Sequence, residues 1–460
     1  MELRLDRSGD AAAPRHEPGT RADHVSPGRA MILTAMTNGV GVVLALATSA
    51  ILARMLGPVG RGEYAVILAW GSTIVTCGHL GLNYAIPCHV ASSFERSRAI
   101  AGSGLLIAIA ATAAVSAGAW ASLPLLLSAQ TQQTIDVARR VVPALALTMA
   151  GSGAVVAVLQ GMGRFAAWNA IRVSQKVGWL GLLICCAALG LNTASAYATA
   201  SAASYLLVLP VAALLITRWT KPGPWIDRRT CRDLLGYALP SWVASLPLLL
   251  SRRLDQLVLG AFAAPDVLGL YAVAASVASL LGTLVAAVAN VAIPHLAGIV
   301  ALEERKRLAT KYVRMTVLVT ASSGAVLCLG TPVMIPLFFG RQFYPAIPVA
   351  FVLIIAAVAD GVSRVTEDAL VGLGSPRALL RAECLCCAVM AGCLAVTLRV
   401  SPLYGAAISA TVGYTSAALA AVWECRALVG GGWWDYLAPR RADLAALAST
   451  AQDTLARIWA

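Results

Sequence analysis

The sequence predicts an all-α polytopic membrane protein of about twelve transmembrane helices arranged as two related halves. Three observations carry this prediction: an excess of apolar residues, a series of apolar stretches of membrane-spanning length, and an internal repeat. Of the 460 residues, 59% are hydrophobic and 12% are charged, and the mean hydropathy is +0.76. A soluble domain carries about 25% charged residues, so a globular enzyme with a water-facing surface is excluded.

The transmembrane helices follow from length, because about twenty apolar residues cross the hydrocarbon core. Twelve stretches qualify: 31–56, 64–91, 99–127, 141–162, 173–191, 196–217, 237–263, 269–296, 313–339, 347–373, 384–400 and 405–428. With the N-terminus inside, 26 Lys and Arg residues fall in inside segments and six in outside segments. This asymmetry fits the positive-inside rule and predicts that both termini are cytoplasmic. It also explains the net charge of +13 without a nucleic acid partner.

An internal repeat relates the two halves. At a spacing of 207 residues, five positions from the first loop and second stretch recur in the seventh loop and eighth stretch: Pro58, Gly62, Tyr64, Ala65 and Val66 match Pro265, Gly269, Tyr271, Ala272 and Val273. A second match relates 159–163 to 370–374 at a spacing of 211. Both matches relate a helix of the first half to the helix six places later. We therefore expect two six-helix units that enter the membrane in the same direction.

These patterns divide the chain into five parts. Residues 1–30 are polar and basic and are expected to form a disordered cytoplasmic tail. Residues 31–217 form the first half, 218–236 a basic cytoplasmic linker, and 237–429 the second half. In the tail 430–460, apolar residues recur at helical spacing from Ala438 onward, which predicts an amphipathic helix on the cytoplasmic membrane surface.

Charged residues inside the membrane are the first functional candidates, because each costs at least about 2.5–3.5 kcal/mol to insert. The seventh stretch contains Arg252, Arg253 and Asp255, and the tenth contains Asp360 and Arg364. Arg252 and Asp255 share a helix face and can pair, as can Asp360 and Arg364. One interpretation is an anion site, since the arginine fork suits phosphate oxygens. The alternative is a structural ion pair, with Arg253 extending outward.

The remaining polar candidates are weaker. Asp255 and Asp360 are the acids deep enough to bind a coupling proton or cation. In the second stretch, His79 and Asn83 share a face and are possible polar residues of a cavity, although packing is the expected role of His79. We find no phosphate-binding loop, nucleophile motif or metal-ligand spacing, and the eleven cysteines lie mostly in apolar runs. We therefore expect no metal, no cofactor and no enzymatic activity.

Three segments resemble the Wzx-type flippase family of polysaccharide biosynthesis proteins, which is part of the multidrug/oligosaccharidyl-lipid/polysaccharide exporter superfamily. They are residues 52–64 (LARMLGPVGRGEY), residues 253–260 followed by Gly269–Val273, and residues 159–165 (LQGMGRF). The resemblance runs from about 31 to 429 and excludes both tails. It implies two six-helix lobes around a central cavity. It further implies a bacterial inner-membrane flippase for undecaprenyl-pyrophosphate-linked oligosaccharide in surface polysaccharide synthesis, such as O-antigen or exopolysaccharide.

With that family, we expect Arg252, Arg253 and Arg364 to bind the pyrophosphate, and Asp255 or Asp360 to carry a coupling ion. The partners would be the lipid-linked oligosaccharide, the bilayer and polysaccharide polymerases, and the flippase would be a monomer. Three other functions stay open at this point. A flippase for the peptidoglycan precursor would share the fold and the chemistry, and the sequence does not separate it from a polysaccharide flippase. A drug exporter of the same fold would need an acidic cavity for cationic drugs. A membrane glycan polymerase or ligase would need a large external loop, whereas the longest here spans 128–140.

Overall fold

The computed structural model describes residues 27–282, 285, 302–373, 375–438 and 440, and within these ranges the regular structure is helical, with no β-strand. The helices are α1 (Pro27–Gly78), α2 (Leu82–Ser92), α3 (Ser97–Leu126), α4 (Gln132–Gly161), α5 (Phe165–Ala188), α6 (Ala194–Trp219), α7 (Arg228–Ser251), α8 (Leu254–Phe262), α9 (Pro265–Ala278), α10 (Leu302–Met334), α11 (Ala346–Gly372), α12 (Pro376–Thr397), α13 (Pro402–Val429) and the short α14 (Trp433–Leu437).

Eleven helical segments in the described residues are long and apolar enough to cross a membrane. The first of them, Leu33–Gly78, has 46 residues, which is about 69 Å of helix at 1.5 Å per residue. That is twice the thickness of a bilayer core. Its continuity ends at Gly57, where φ is 66° and ψ is −177°, and Pro58 follows. This backbone conformation favours glycine. α1 therefore supplies two crossings, and the described helices correspond to the twelve predicted ones.

Two further crossings are interrupted where the sequence predicts continuous helices. The second crossing breaks between Gly78 and Leu82, where Leu80 and Gly81 have positive φ values, and continues as α2. The seventh breaks between α7 and α8 at Arg252 and Arg253. Apolar length reveals a crossing but not such a break, because the residues on both sides remain hydrophobic.

The repeat detected in the sequence packs against itself across the interface of the two halves. A Cβ built on Gly62 would lie 1.7 Å from the carbonyl oxygen of Pro265, and a Cβ built on Gly269 would lie 1.9 Å from the carbonyl oxygen of Pro58. The two contacts involve the same pair of repeat positions in reciprocal order. Small residues allow two helix backbones to approach this closely in a membrane. The repeated glycines thus mark a pseudo-two-fold contact between α1 and α9.

Some predicted segments fall wholly or partly outside the described residues. The expected disordered tail lies there up to residue 26, while residues 27–30 already belong to α1. The expected amphipathic helix beyond Ala438 also lies outside the described residues, except for Arg440. Of the expected linker 218–236, the portion from Arg228 onward is helical and begins α7.

Candidate functional site

The break in the seventh crossing positions the central charges. α7 contains Pro240 and Pro247 and ends at Ser251, and α8 begins at Leu254. Proline weakens a helix because it removes a backbone donor and crowds the preceding turn. The two arginines between α7 and α8 therefore do not follow a continuous helical spiral. Arg252 lines a central cavity, whereas Arg253 lines a separate apolar groove.

The Arg252 guanidinium faces two carboxylates on other helices. Its Nη2 lies 3.8 Å from Asp360 Oδ1 and 3.9 Å from Glu383 Oε1, and its Nε is buried without a hydrogen-bond partner among the described residues. The expected pair between Arg252 and Asp255 does not form, because the helix break removes the i, i+3 geometry on which that pairing depended. Arg252 is therefore held by two long ion pairs and retains an unused donor.

The predicted pair between Arg364 and Asp360 does form. Arg364 Nη2 lies 2.7 Å from Asp360 Oδ2 along α11, the i, i+4 arrangement that helices favour. Asp360 thus stands between two arginines, with one carboxylate oxygen close to Arg364 and the other farther from Arg252. Arg364 Nε is likewise buried without a partner in the described part of the chain. The three residues form one charged cluster.

Asp255 is 6% exposed and has its own partners. Tyr271 donates its hydroxyl proton to Asp255 Oδ2, and the backbone amide of Gln256 donates to Oδ1 at 2.7 Å. These bonds offset the cost of burying a carboxylate in apolar surroundings. Asp255 also lines the cavity, so its position agrees with the expected placement although its partner differs.

The charged cluster borders a cavity of about 460 Å³ between the two halves. Its lining includes three cations, two carboxylates, two tyrosines and two amides: Lys176, Arg252, Arg364, Asp255, Asp360, Tyr271, Tyr414, Asn38 and Gln256. Asn38 and Lys176 come from the first half, and the others from the second half. Such a polar cavity at the junction of two repeats is typical of a transporter substrate site.

Sequence reasoning missed Lys176 as a cavity residue because it counted this lysine, at the start of the predicted crossing 173–191, among the basic residues of the preceding inside segment. Helix α5 begins at Phe165, so Lys176 lies within a crossing and reaches the cavity. No described carboxylate lies within ion-pair distance of its ammonium group. The signal in the sequence is the i, i+4 spacing of Arg172 and Lys176, which places both on one helix face. In the structure Arg172 donates to Asn38 Oδ1 at 3.1 Å.

Sequence reasoning did not select Glu383 or Glu367 as site residues. They are 4% and 3% exposed, so Asp255 and Asp360 are not the only deeply placed acids, as the sequence had suggested. Ser251 donates to Glu383 Oε2, and Ser363 donates to Glu367 Oε1, both at 2.7 Å. Glu383 precedes the eleventh apolar stretch, and the helix extends back beyond that stretch to bury it.

Arg253 does not line the cavity. It is exposed, and its Nη1 lies 3.4 Å from Gln256 Oε1. The surrounding groove has a volume of about 620 Å³ and is lined mainly by leucine, alanine, cysteine and threonine residues. A cation inside a membrane costs at least about 2.5–3.5 kcal/mol by insertion scales. Arg252 and Arg253 therefore line two different spaces, and their expected binding of one pyrophosphate stays a prediction.

His79 and Asn83 are not part of the cavity lining. His79 is 3% exposed, and its Nε2 lies 3.0 Å from the carbonyl oxygen of Ala150 on α4. This is the geometry of a buried packing residue. Asn83 is exposed at the start of α2. Within the part of the chain that the structure describes, no group of three or more His, Cys, Asp or Glu residues could hold a metal ion.

Comparisons with known proteins identify the family of the sequence. A family model described as "Polysaccharide biosynthesis protein" matches residues 28–300, which is more than half of the 460 residues. No protein among those with curated descriptions matches the chain.

Comparisons with solved structures identify the fold. A multidrug resistance MATE family transporter of the MOP superfamily in its inward-facing conformation aligns with a TM-score of 0.61 at 17% identity, covering 86% of this chain and 95% of that chain. The outward-facing conformation aligns with a TM-score of 0.62 at 17% identity, covering 87% and 96%. The MATE transporter VcmN of Vibrio cholerae aligns with a TM-score of 0.59 at 16% identity, covering 89% and 98%. The predicted fold is confirmed.

Proposed function

Because this chain belongs to the polysaccharide biosynthesis protein family, we propose that it is a flippase for undecaprenyl-pyrophosphate-linked oligosaccharide. In this proposal the multi-pass protein lies in the bacterial inner membrane with both termini in the cytoplasm. It moves its substrate from the inner to the outer leaflet for synthesis of a surface polysaccharide, such as O-antigen or exopolysaccharide. It makes and breaks no covalent bond, acts as a monomer, and delivers its substrate to a polysaccharide polymerase.

The observation that carries the proposal is the state of Arg252 in the cavity. Its two ion pairs are 3.8 and 3.9 Å long, and its Nε has no partner among the described residues. A pyrophosphate offers several anionic oxygens, and an arginine can bind two of them at once through parallel hydrogen bonds. If a phosphate group replaced the two carboxylates as the partner of Arg252, the guanidinium could form shorter and better-aligned hydrogen bonds.

Two neighbouring cations support the same assignment. Lys176 extends into the cavity from the first half without an acidic partner within ion-pair distance among the described residues. Arg364 contributes a buried Nε from the second half, although its Nη2 is held by Asp360. A pyrophosphate bound between Lys176 and Arg252 would contact both halves and bias their relative rotation. Rocking of two repeats about a central site is the usual form of alternating access.

The carboxylates give the proposal a coupling mechanism. Asp360 contacts Arg252 and Arg364, so a substrate anion competes with Asp360 for the same arginines. In a counter-transport cycle Asp360 would carry a proton or cation inward on the return step, after the pyrophosphate has left Arg252. Asp255 is the second candidate for this coupling, since it also lines the cavity, but the hydroxyl group of Tyr271 already holds it.

The experiment that tests the function is deletion of the gene in the source bacterium, followed by location of the lipid-linked oligosaccharide. Labelled sugar marks the intermediate, and a glycosidase that acts only from outside reports the outer-leaflet fraction. We expect accumulation in the inner leaflet, loss of surface polysaccharide, and restoration of both by a plasmid copy. Normal outward delivery in a strain without a redundant flippase would refute the proposal and favour drug export, for which the structural relatives are precedents in fold.

A further inference from the structure

The break in the seventh crossing joins two different spaces. Arg252 lines the polar cavity between the halves, and the next residue, Arg253, lines the apolar groove. Their Cα atoms are about 3.8 Å apart, as in any trans peptide. The break is therefore a point where a charged environment and an apolar environment meet within one residue of the chain.

The groove is formed by elements of both halves. The end of α1 contributes Thr73 and Cys77, the seventh crossing contributes Leu250 and Leu257, and α12 contributes Cys387 and Ala391. Apart from the Arg253 guanidinium, the lining side chains offer a ligand no formal charge. A groove of this composition accepts a hydrocarbon chain and excludes a sugar, because burial of unpaired hydroxyl groups is costly.

Arg253 is the charged residue in the lining of this apolar groove, and its surroundings indicate which kind of ligand the groove binds. No described carboxylate oxygen lies within 4.0 Å of its guanidinium, whereas Arg252 and Arg364 each have an acidic partner. The nine residues of α8 separate Arg253 from the end of the crossing, which is about 13 Å of helix. A cation beside an apolar groove would be stabilised by an anion that enters with a hydrocarbon chain.

We propose that the groove holds the polyprenyl chain of the carrier lipid, with Arg253 contacting the pyrophosphate at the point where the polar head passes to Arg252. This inference rests on the proposed function and adds to it the path of the lipid tail. In this arrangement the sugar and pyrophosphate occupy the cavity, and the tail remains outside it. The two consecutive arginines contact the same pyrophosphate from opposite sides of the helix break.

Photocrosslinking tests where the tail lies. A benzophenone amino acid is placed at Leu257 in the groove or, as a control, at Leu329 on α10, which is 82% exposed and lies outside the groove. The full chain is reconstituted into vesicles of phosphatidylethanolamine and phosphatidylglycerol with ³²P-labelled undecaprenyl pyrophosphate. We expect labelling at Leu257 to exceed that at Leu329 by at least about tenfold, equivalent to about 1.4 kcal/mol. Arg253→Gln should abolish this difference.

Equal labelling at the two positions would overturn the proposal. So would competition at Leu257 by excess phosphatidylglycerol as strong as competition by unlabelled undecaprenyl pyrophosphate, because the groove would then bind any anionic lipid. These outcomes are distinct from failure of the proposed function. In that case the gene-deletion strain would deliver its oligosaccharide normally, whatever the labelling pattern.

A steric variant gives an independent readout. Ala388→Trp would fill part of the groove from α12, and Ala395→Trp is the matched control two helical turns away, exposed and outside the groove lining. In the deletion strain, we expect Ala388→Trp to lower outer-leaflet oligosaccharide at least about tenfold and Ala395→Trp to leave it unchanged. Equal delivery by both variants, at equal amounts of folded protein, would contradict the groove assignment.

Discussion

Replacement of Arg252 by glutamine tests whether this residue binds the substrate or only forms a structural ion pair. The variant removes the guanidinium that lies 3.8 Å from Asp360 and 3.9 Å from Glu383. Neither acid would be left without a partner, since Asp360 keeps Arg364 at 2.7 Å and Glu383 keeps the Ser251 hydroxyl at 2.7 Å. We therefore expect Arg252→Gln to fold, with a smaller loss in the free energy of unfolding than a variant that leaves a buried acid without a partner.

Its effect on transport should be larger. A hydrogen bond to a charged group contributes about 1.5–3 kcal/mol, and every 1.4 kcal/mol corresponds to about tenfold in affinity. Loss of one arginine–pyrophosphate contact should thus weaken substrate binding about 10- to 150-fold. Arg252→Lys keeps the charge without the planar fork and should retain an intermediate affinity.

Arg364→Gln is the contrasting variant, because it removes the 2.7 Å partner of Asp360. Asp360 would then keep only the longer contact to Arg252 at 3.8 Å, so this variant should lose more thermal stability than Arg252→Gln, as well as transport. Outer-leaflet oligosaccharide in the deletion strain reports transport, and the unfolding temperature of purified protein reports stability. Wild-type transport by Arg252→Gln, or equal stability of the two variants, would refute the assignment of Arg252 to substrate.

Two further predictions concern the fold. Gly62→Ala places a Cβ 1.7 Å from the Pro265 carbonyl oxygen, so it should destabilise the protein by about 1–3 kcal/mol. The control Gly181→Ala, whose Cβ meets nothing within 4 Å, should not destabilise it. Equal unfolding temperatures of the two variants would disprove this packing argument. Asp227 caps α7, and hydrogen bonds from the Thr230 hydroxyl and amide lower the pKa of its carboxyl. The stabilisation is present above the unfolded-state pKa of Asp227 and is lost as the pH falls through its lowered folded-state pKa. The difference in unfolding temperature between wild type and Asp227→Ala should therefore shrink over that acidic range. A difference that does not change with pH would contradict this prediction.

The positions of the crossings could be predicted from the sequence because hydrophobic length is a local property. A stretch such as 347–373 must be a helix that crosses the membrane, since no other conformation of a single segment satisfies its backbone polar groups in hydrocarbon. The repeated Pro58 and Gly62, with their counterparts Pro265 and Gly269, were also visible in the sequence. Their spacing predicted two related halves, and the structure shows that these same residues form one of the contacts between the halves.

The composition of the site depended on the tertiary structure. Lys176 lies near the start of its apolar run and Glu383 lies just before its own, and only neighbouring helices determine whether such a residue faces a cavity. Arg252 and Arg253 are adjacent and chemically identical in the sequence, yet one faces the polar cavity and the other the apolar groove. Hydropathy measures how much apolar surface a segment carries and fixes where it crosses the membrane. The direction of each charged side chain depends instead on the helix break and on the partners that surrounding helices supply.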